Sequence, residues 1–251
     1  MKIADVIREC TMQKAEDHRV RRAQIGLIYC AVQLESGATG VAFTFPAQRS
    51  GQPCGAGLSA QGNLAGRTAD QLIEQLGSDE LVSSALGMAA ANAVINACLP
   101  DPQAVRGDIL DHLDIRKGDR ICMVGCFLPV LDRLAGLSVT VNTVDQVARP
   151  GAQPAERVEQ LLPESQVAII TGTSIINGTI DRLLSLAAGC REVAILGPST
   201  PLLGDGFRGS HVHCLSGVRV EDPEEVFRII GEGGGFRFFK DYTTKLNIRL
   251  G

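Results

Sequence analysis

Tryptophan is absent from this 251-residue chain and aromatic residues make up only 4% of it, so a broad aromatic stacking platform is excluded. Basic blocks are missing as well. With 24 Lys and Arg against 28 Asp and Glu the net charge is −4, and no basic–aromatic interleaving occurs, which sets nucleic acid aside as a partner. There is no uninterrupted run of 18 apolar residues, and the opening MKIADVIREC is charged and amphipathic rather than signal-like. A soluble, cytoplasmic protein with no membrane partner is expected. Also lacking are CxxC pairs, HExxH, a Walker loop, SxxK and any Ser-His-Asp order, so the common hydrolase and phosphoryl-transfer chemistries have no core parts here.

What the chain does have is core material, 45% hydrophobic, enough for one large or two small domains without disulfide staples. Its eight cysteines (Cys10, Cys30, Cys54, Cys98, Cys122, Cys126, Cys190 and Cys214) include several inside apolar runs, where a reduced thiol acts as a small hydrophobe.

An opening helix is marked by Ile3, Val6, Ile7 and Cys10 at helical spacing, and AQIGLIYCAVQLE then reads as one strand. Ser36 to Gly40 turns it into a second strand, VAFTF, as a hairpin whose edge makes a homodimer reasonable. A Gly, Ser and Pro-rich loop from Gln48 to Gly62 leads to a helix around Ala69 to Leu76. Ser78 is the expected N-cap of a long alanine-rich helix, Asp79 to Cys98, on which Asn92 and Asn96 stand four apart. That amide pair can face a ligand or domain partner, or simply solvent. Leu99-Pro100-Asp101-Pro102 breaks the helix, and the domain joint lies between 100 and 119. The division is taken as 1–106, a small α+β domain, and 107–251, an α/β domain.

From there the rhythm is β then α: strands ICMVG (121–125), SVTVN (138–142), QVAII (166–170) and EVAIL (192–196), each followed by a helix except the last. Such repetition means a parallel sheet with right-handed crossovers. A further strand, 211–215, precedes a helix with Asp222 as N-cap and Pro223 at its first position, and the glycine-rich, basic tail is expected to be a loop packed on the body.

In open α/β sheets ligands lie beyond the carboxyl ends of the strands, and those ends are where the polar residues gather. The first exit, Gly125-Cys126-Phe127-Leu128-Pro129, has one glycine where a dinucleotide fold needs three, which disfavours NAD and FAD. Asp145 stands about where an acidic residue would grip a ribose, though any loop could carry it there. Thr171-Gly172-Thr173-Ser174 with Asn177-Gly178-Thr179 offers freed amides, hydroxyls and an amide side chain for ligand binding; the plainer alternative makes Asn177 a cap and the hydroxyls turn solvation. Gly197-Pro198-Ser199-Thr200-Pro201 is a proline-stiffened turn that either holds a ligand at low entropic cost or is only a strand exit. His211 and His213, two apart on a strand and next to Cys214, could ligate a transition metal with Cys126, but a solvated strand edge with buried thiols weighs more.

The motifs VGCFLP (124–129), TGTSIINGTID (171–181) and LGPSTPL (196–202), with IGLIYCAV (25–32) and ANAVINA (91–97), resemble the putative heavy-metal chelation proteins of bacteria and archaea over nearly the whole chain. That resemblance implies an enolase-N-terminal-like first domain, a Rossmann-like second domain, a site in the cleft between them and a role near metal handling. It carries no ligand set onto particular positions. The leading expectation is thus a protein binding a small polar ligand, a transition-metal ion or a metal chelate in the interdomain cleft. Gly125, Phe127, Pro129, Asp145, Thr171, Gly172, Thr173, Asn177, Gly178, Gly197, Pro198, Ser199 and Thr200 would line it, with Cys126, His211 and His213 as the direct metal ligands if no chelator is involved. The alternatives are an enzyme using a nucleotide-like cofactor such as S-adenosylmethionine, and an assembly module whose cleft motifs are mere turns.

Overall fold

The structure, a computed structural model, describes residues 1–46, 62–98 and 104–250. The expected loop at 48–61, Cys54 and the Leu99–Pro102 helix break lie outside them. Helix α1 (Ile3–Ala15) leads into strands β1 (Val20–Ile25), β2 (Tyr29–Leu34) and β3 (Thr39–Phe43), which form an antiparallel sheet in that order. The single long strand expected here is two. The chain reverses after Gly26, whose amide donates to Tyr29 O, so β1 and β2 pair with each other. Helix α2 (Ala69–Ile73) is shorter than expected, and α3 (Leu81–Cys98) begins later than Asp79 because the Glu80 carboxylate, not Ser78, accepts the amides of Val82 and Ser83.

Next come β4 (Val105–Arg106), β5 (Arg120–Val124), α4 (Leu128–Leu134), β6 (Thr140–Asp145), β7 (Ala152–Pro154), α5 (Val158–Leu161), β8 (Val167–Thr171), α6 (Thr173–Ile176), α7 (Ile180–Leu186) and β9 (Glu192–Leu196). Then β10 (Cys214–Val220), α8 (Pro223–Gly231), α9 (Phe236–Phe239) and β11 (Thr243–Arg249) complete the chain. Strands β4–β11 form one eight-stranded sheet in the order β4-β11-β10-β9-β8-β5-β6-β7, parallel from β10 through β7. The fold is therefore mixed α/β, a mostly parallel sheet plus a separate small antiparallel one, as the alternating pattern implies. Asp222 caps α8 by accepting from Glu225 N. The tail is not a loop. Its last residues pair antiparallel with β10 along all seven positions, Cys214 to Val220. Strand β10 also starts three residues later than expected, which leaves His211 and His213 ahead of it.

Strand residues alternate faces, so each buried strand feeds two cores. Cys30, Val32 and Leu34 of β2 join Ala168 and Ile170 of β8, Val193 and Ile195 of β9, and Ala89 and Ala93 of α3 in one apolar cluster that runs through both halves of the chain. Their alternates Ile121, Met123, Val167, Ile169 and Ala194 pack with Val130 and Leu134 of α4 on the far side of the large sheet. Tyr29, Ala31 and Val41 face Val226, Phe227 and Ile230 of α8. Helix α3 is long and apolar enough, by length and composition alone, to cross a membrane; most of it is instead buried in the shared core.

The join between the halves is polar as well as apolar. Strand β3 is an edge, with the backbone groups of Thr39, Val41 and Phe43 pointing away from β2. Asn96 Nδ2 donates to Thr39 O at 3.0 Å, Asn92 Nδ2 to Val41 O at 3.1 Å, and Phe43 N to Ser199 Oγ at 3.0 Å. Helix α3 comes this close because Gly40 has no side chain; a Cβ there would stand 2.2 Å from Ala89 O. The β3 edge expected to support a dimer is thus occupied by the protein's own side chains.

Removing one of these partners strands a backbone group away from water, at about 1–3 kcal/mol. Ser199→Ala and Asn92→Ala should each lower stability by about that much in urea titrations, with Asn96→Ala costing less because it is only partly buried. Unchanged midpoints would refute the edge-closing role. The thiols of Cys122, Cys190 and Cys214 are pushed up by burial to about 12, 11 and 11. Alkylation of native protein, mapped by mass spectrometry, should therefore spare these three and Cys30 while modifying half-buried Cys126 first among the strand-end thiols.

Candidate functional site

Four neighbouring parallel strands, β9, β8, β5 and β6, end side by side, and their exits are Gly197, Thr171-Gly172, Gly125 and Asp145. The sequence needs glycine at two of them. Gly125 (φ +95°) and Gly197 (φ +120°) adopt left-handed conformations that L side chains rarely enter. Both lie against one ring. A Cβ at Gly125 would stand 3.1 Å from Thr171 Cβ and 3.5 Å from the Phe127 ring, and one at Gly197 would stand 3.5 Å from the same ring. Phe127 thus spans the strand ends on either side of β8. Leu128 and Pro129, which open α4, are exposed beside it. Among the described residues the amides of Phe127 and Leu128 carry no hydrogen bond.

The threonine corner keeps its polar groups partly to itself. Thr171 Oγ1 and Thr173 Oγ1 are 3.0 Å apart, and Ser174 Oγ donates to Thr171 O at 2.6 Å. Asn177 Oδ1 accepts from both the amide and the hydroxyl of Thr179, which is the plain turn-closing role, while Gly178 stands exposed at φ +71°. Gly172 touches the proline corner: a Cβ there would stand 2.5 Å from Thr200 Oγ1, a buried hydroxyl without a partner among the described residues. The two corners do meet along one rim.

They do not both open onto it. Pro198, Ser199 and Thr200 are buried, and Ser199 is engaged with β3. These three seal the seam between the sheets rather than line a cleft, because the β3 edge needs the serine hydroxyl. Asp145 is likewise committed: its Oδ2 accepts from Cys126 N at 3.2 Å, its Oδ1 from Val147 N at 2.9 Å, and Arg149 Nε lies 3.3 Å away. It clamps two rim loops together. Arg149 went unnoticed in the sequence; its position four residues after an acid was the signal present.

The direct metal set comes apart. Cys214 is level with Ala194, Ile169 and Met123 across the sheet, so His213 lies one residue below that level and Cys126 three above it. Three strand spacings, roughly 14 Å, separate them sideways as well. His211 is exposed, and His213 Nδ1 accepts from Val193 N at 3.2 Å. No group of three or more His, Cys, Asp or Glu among the described residues could hold a metal ion. Asn92 and Asn96, as shown, bind the β3 edge. A surface hollow of about 500 Å³ lined by Arg8, Glu9, Met12, Gln13, Glu16 and Glu74 is built by α1 and the end of α2 and includes no strand-end residue.

An uncharacterized protein of Methanocaldococcus jannaschii is 24% identical over 248 residues, 95% of this chain and 93% of that one. A crystal structure of a protein of unknown function from Pyrococcus horikoshii superposes with a TM-score of 0.86 at 24% identity, covering 99% of this chain and 100% of that one. A second, from Desulfitobacterium hafniense, gives 0.83 at 23% identity over 97% and 96%. At such identities the structures speak to the fold. Two family models, both described as putative heavy-metal chelation, match residues 8–95 and 108–249. With both halves matched, the chain belongs to the putative heavy-metal chelation family.

Proposed function

We propose that this protein, with 1–106 and 107–251 as its two units, binds a small polar metal chelate at the rim where β9, β8, β5 and β6 end, and that the chelate brings its own metal donors. The observation that carries this is the Phe127 ring held against Gly125 and Gly197, with Thr171 between them: three strand exits opening at one point. Ligand sites in such sheets lie there, and a few placed polar groups on an apolar wall are their usual composition. Thr171, Thr173 and the amides beside Phe127 suit a ligand's oxygens, being hard donors and acceptors rather than soft metal ligands. The family description speaks for metal handling, and the lack of a three-ligand cluster among the described residues speaks for a metal that arrives already chelated. The described cysteines are all free thiols, which suits the cytoplasm.

The nucleotide-cofactor reading depended on Asp145 reaching ribose hydroxyls. Both its oxygens already accept backbone amides, which weakens that reading without touching the rim itself.

Titration calorimetry with nickel or ferric ion, each bare and as its citrate complex, tests the proposal. One complex should bind per chain, and Thr171→Val, which keeps the shape and loses the hydroxyl, should weaken it by about fivefold, the worth of one hydrogen bond. Stoichiometric binding of the bare ion, indifferent to Thr171→Val, would overturn it. A thermal shift with S-adenosylmethionine that disappears in Asp145→Ala would instead install the nucleotide reading.

A further inference from the structure

The acidic residue of the rim is turned inward and a basic one outward. Asp145 is only 15% exposed and spends its two oxygens on Cys126 N and Val147 N, whereas Arg149, paired with it at 3.3 Å, is 54% exposed. The Arg149 side chain, ion-paired through Nε, makes no hydrogen bond among the described residues, so its terminal guanidinium donors are available to something outside the protein. Asp145 joins the Cys126 and Val147 loops, which ties Arg149 to the loop that carries Phe127. Apolar surface is exposed at this place too: Leu128 at 64% and Val147 at 49%, on either side of the clamp.

We infer that the rim recognises a flat, unsaturated anion, an aromatic or conjugated carboxylate or phenolate, with Arg149 pairing to the charge and Phe127, Leu128 and Val147 meeting the ring. This rests on the proposed rim site and names the class of chelator it takes. The physical reasoning is one of charge and shape. A planar guanidinium matches a carboxylate edge in two parallel hydrogen bonds, and Asp145 restrains the arginine before the ligand arrives, which lowers the entropy lost on binding. A neutral ligand of the same shape gains only the apolar contact. An aliphatic anion gains only the charge.

Salicylate and salicylamide separate these terms, since they differ in charge and hardly in shape. By calorimetry on the full chain, salicylate should bind about tenfold or more tightly than salicylamide, the difference expected for a charge-assisted hydrogen bond against a neutral one. Added salt should weaken the acid and leave the amide unchanged. Arg149→Gln should bring the acid down to the affinity of the amide, and Arg149→Lys should restore part of the gap. Phe127→Leu should weaken both probes while keeping their ratio. Melting curves of the Arg149 variants should match the parent, because the residue is exposed and Asp145 retains its two amides.

Equal affinities in the parent protein, or a ratio that survives Arg149→Gln, would overturn the inference. A citrate-bound metal that still binds in a Thr171-dependent way, with no salicylate binding, would overturn it too while leaving the rim proposal standing. If neither salicylate nor any metal chelate binds the parent protein, both fall together.

Discussion

An edge strand that faces a core has to find partners for its outward amides and carbonyls, and in this protein that requirement on β3 organises the molecule. Water cannot reach those groups once α3 and the large sheet close over them, and each one left bare would cost as much as a typical point mutation. Three side chains serve two of the carbonyls and one amide: Asn92 and Asn96 from one helix face, and Ser199 from the turn after β9. Their spacing matches the strand. Residues 39, 41 and 43 project the same way at two-residue intervals, and two asparagines four apart on a helix sit one turn apart, near enough to serve successive outward carbonyls.

This closure decides where a ligand cannot go. Because the Ser199 hydroxyl is spent on Phe43, the proline corner is drawn into the seam, and the apolar cluster runs unbroken from β2 through α3 to β8 and β9. Gly197, just ahead of that corner, is left at the mouth with its left-handed backbone, next to Gly172 and Thr171 on the neighbouring strand. The same turn therefore has two jobs on two sides: its serine welds the sheets, and its glycine shapes the rim.

How much of this was legible follows from what each element needs. EVAIL at 192–196 and the Asp222 cap were readable because a buried parallel strand and a helix start are encoded by their own residues. The tail strand β11 was not, since its pairing with β10 is specified by a partner some thirty residues away and TTKLNIR alternates too weakly to announce it. The break at Gly26 hid inside a continuous apolar run, because β2 is buried on both faces and shows no alternation to mark where it starts. The asparagine pair on α3 was visible but mute. Amides on a helix of small residues look the same whether they await a ligand or cap a strand, and only the approach of α3 to Gly40 tells which.

Asp145 carries the same lesson into chemistry. Its position at the end of β6 is where an acid in a nucleotide-binding sheet would face its ligand, and position alone suggested that role. A carboxylate, however, can accept several hydrogen bonds, and here each oxygen already accepts a backbone amide, with an arginine ion-paired alongside. Once its oxygens are committed, the residue acts on the rim through the groups it holds: it fixes the approach of two loops and presents a cation in its own place. The charge most exposed here is thus opposite in sign to the residue at the strand end, a reversal that follows from hydrogen-bond capacity and cannot be read from residue type.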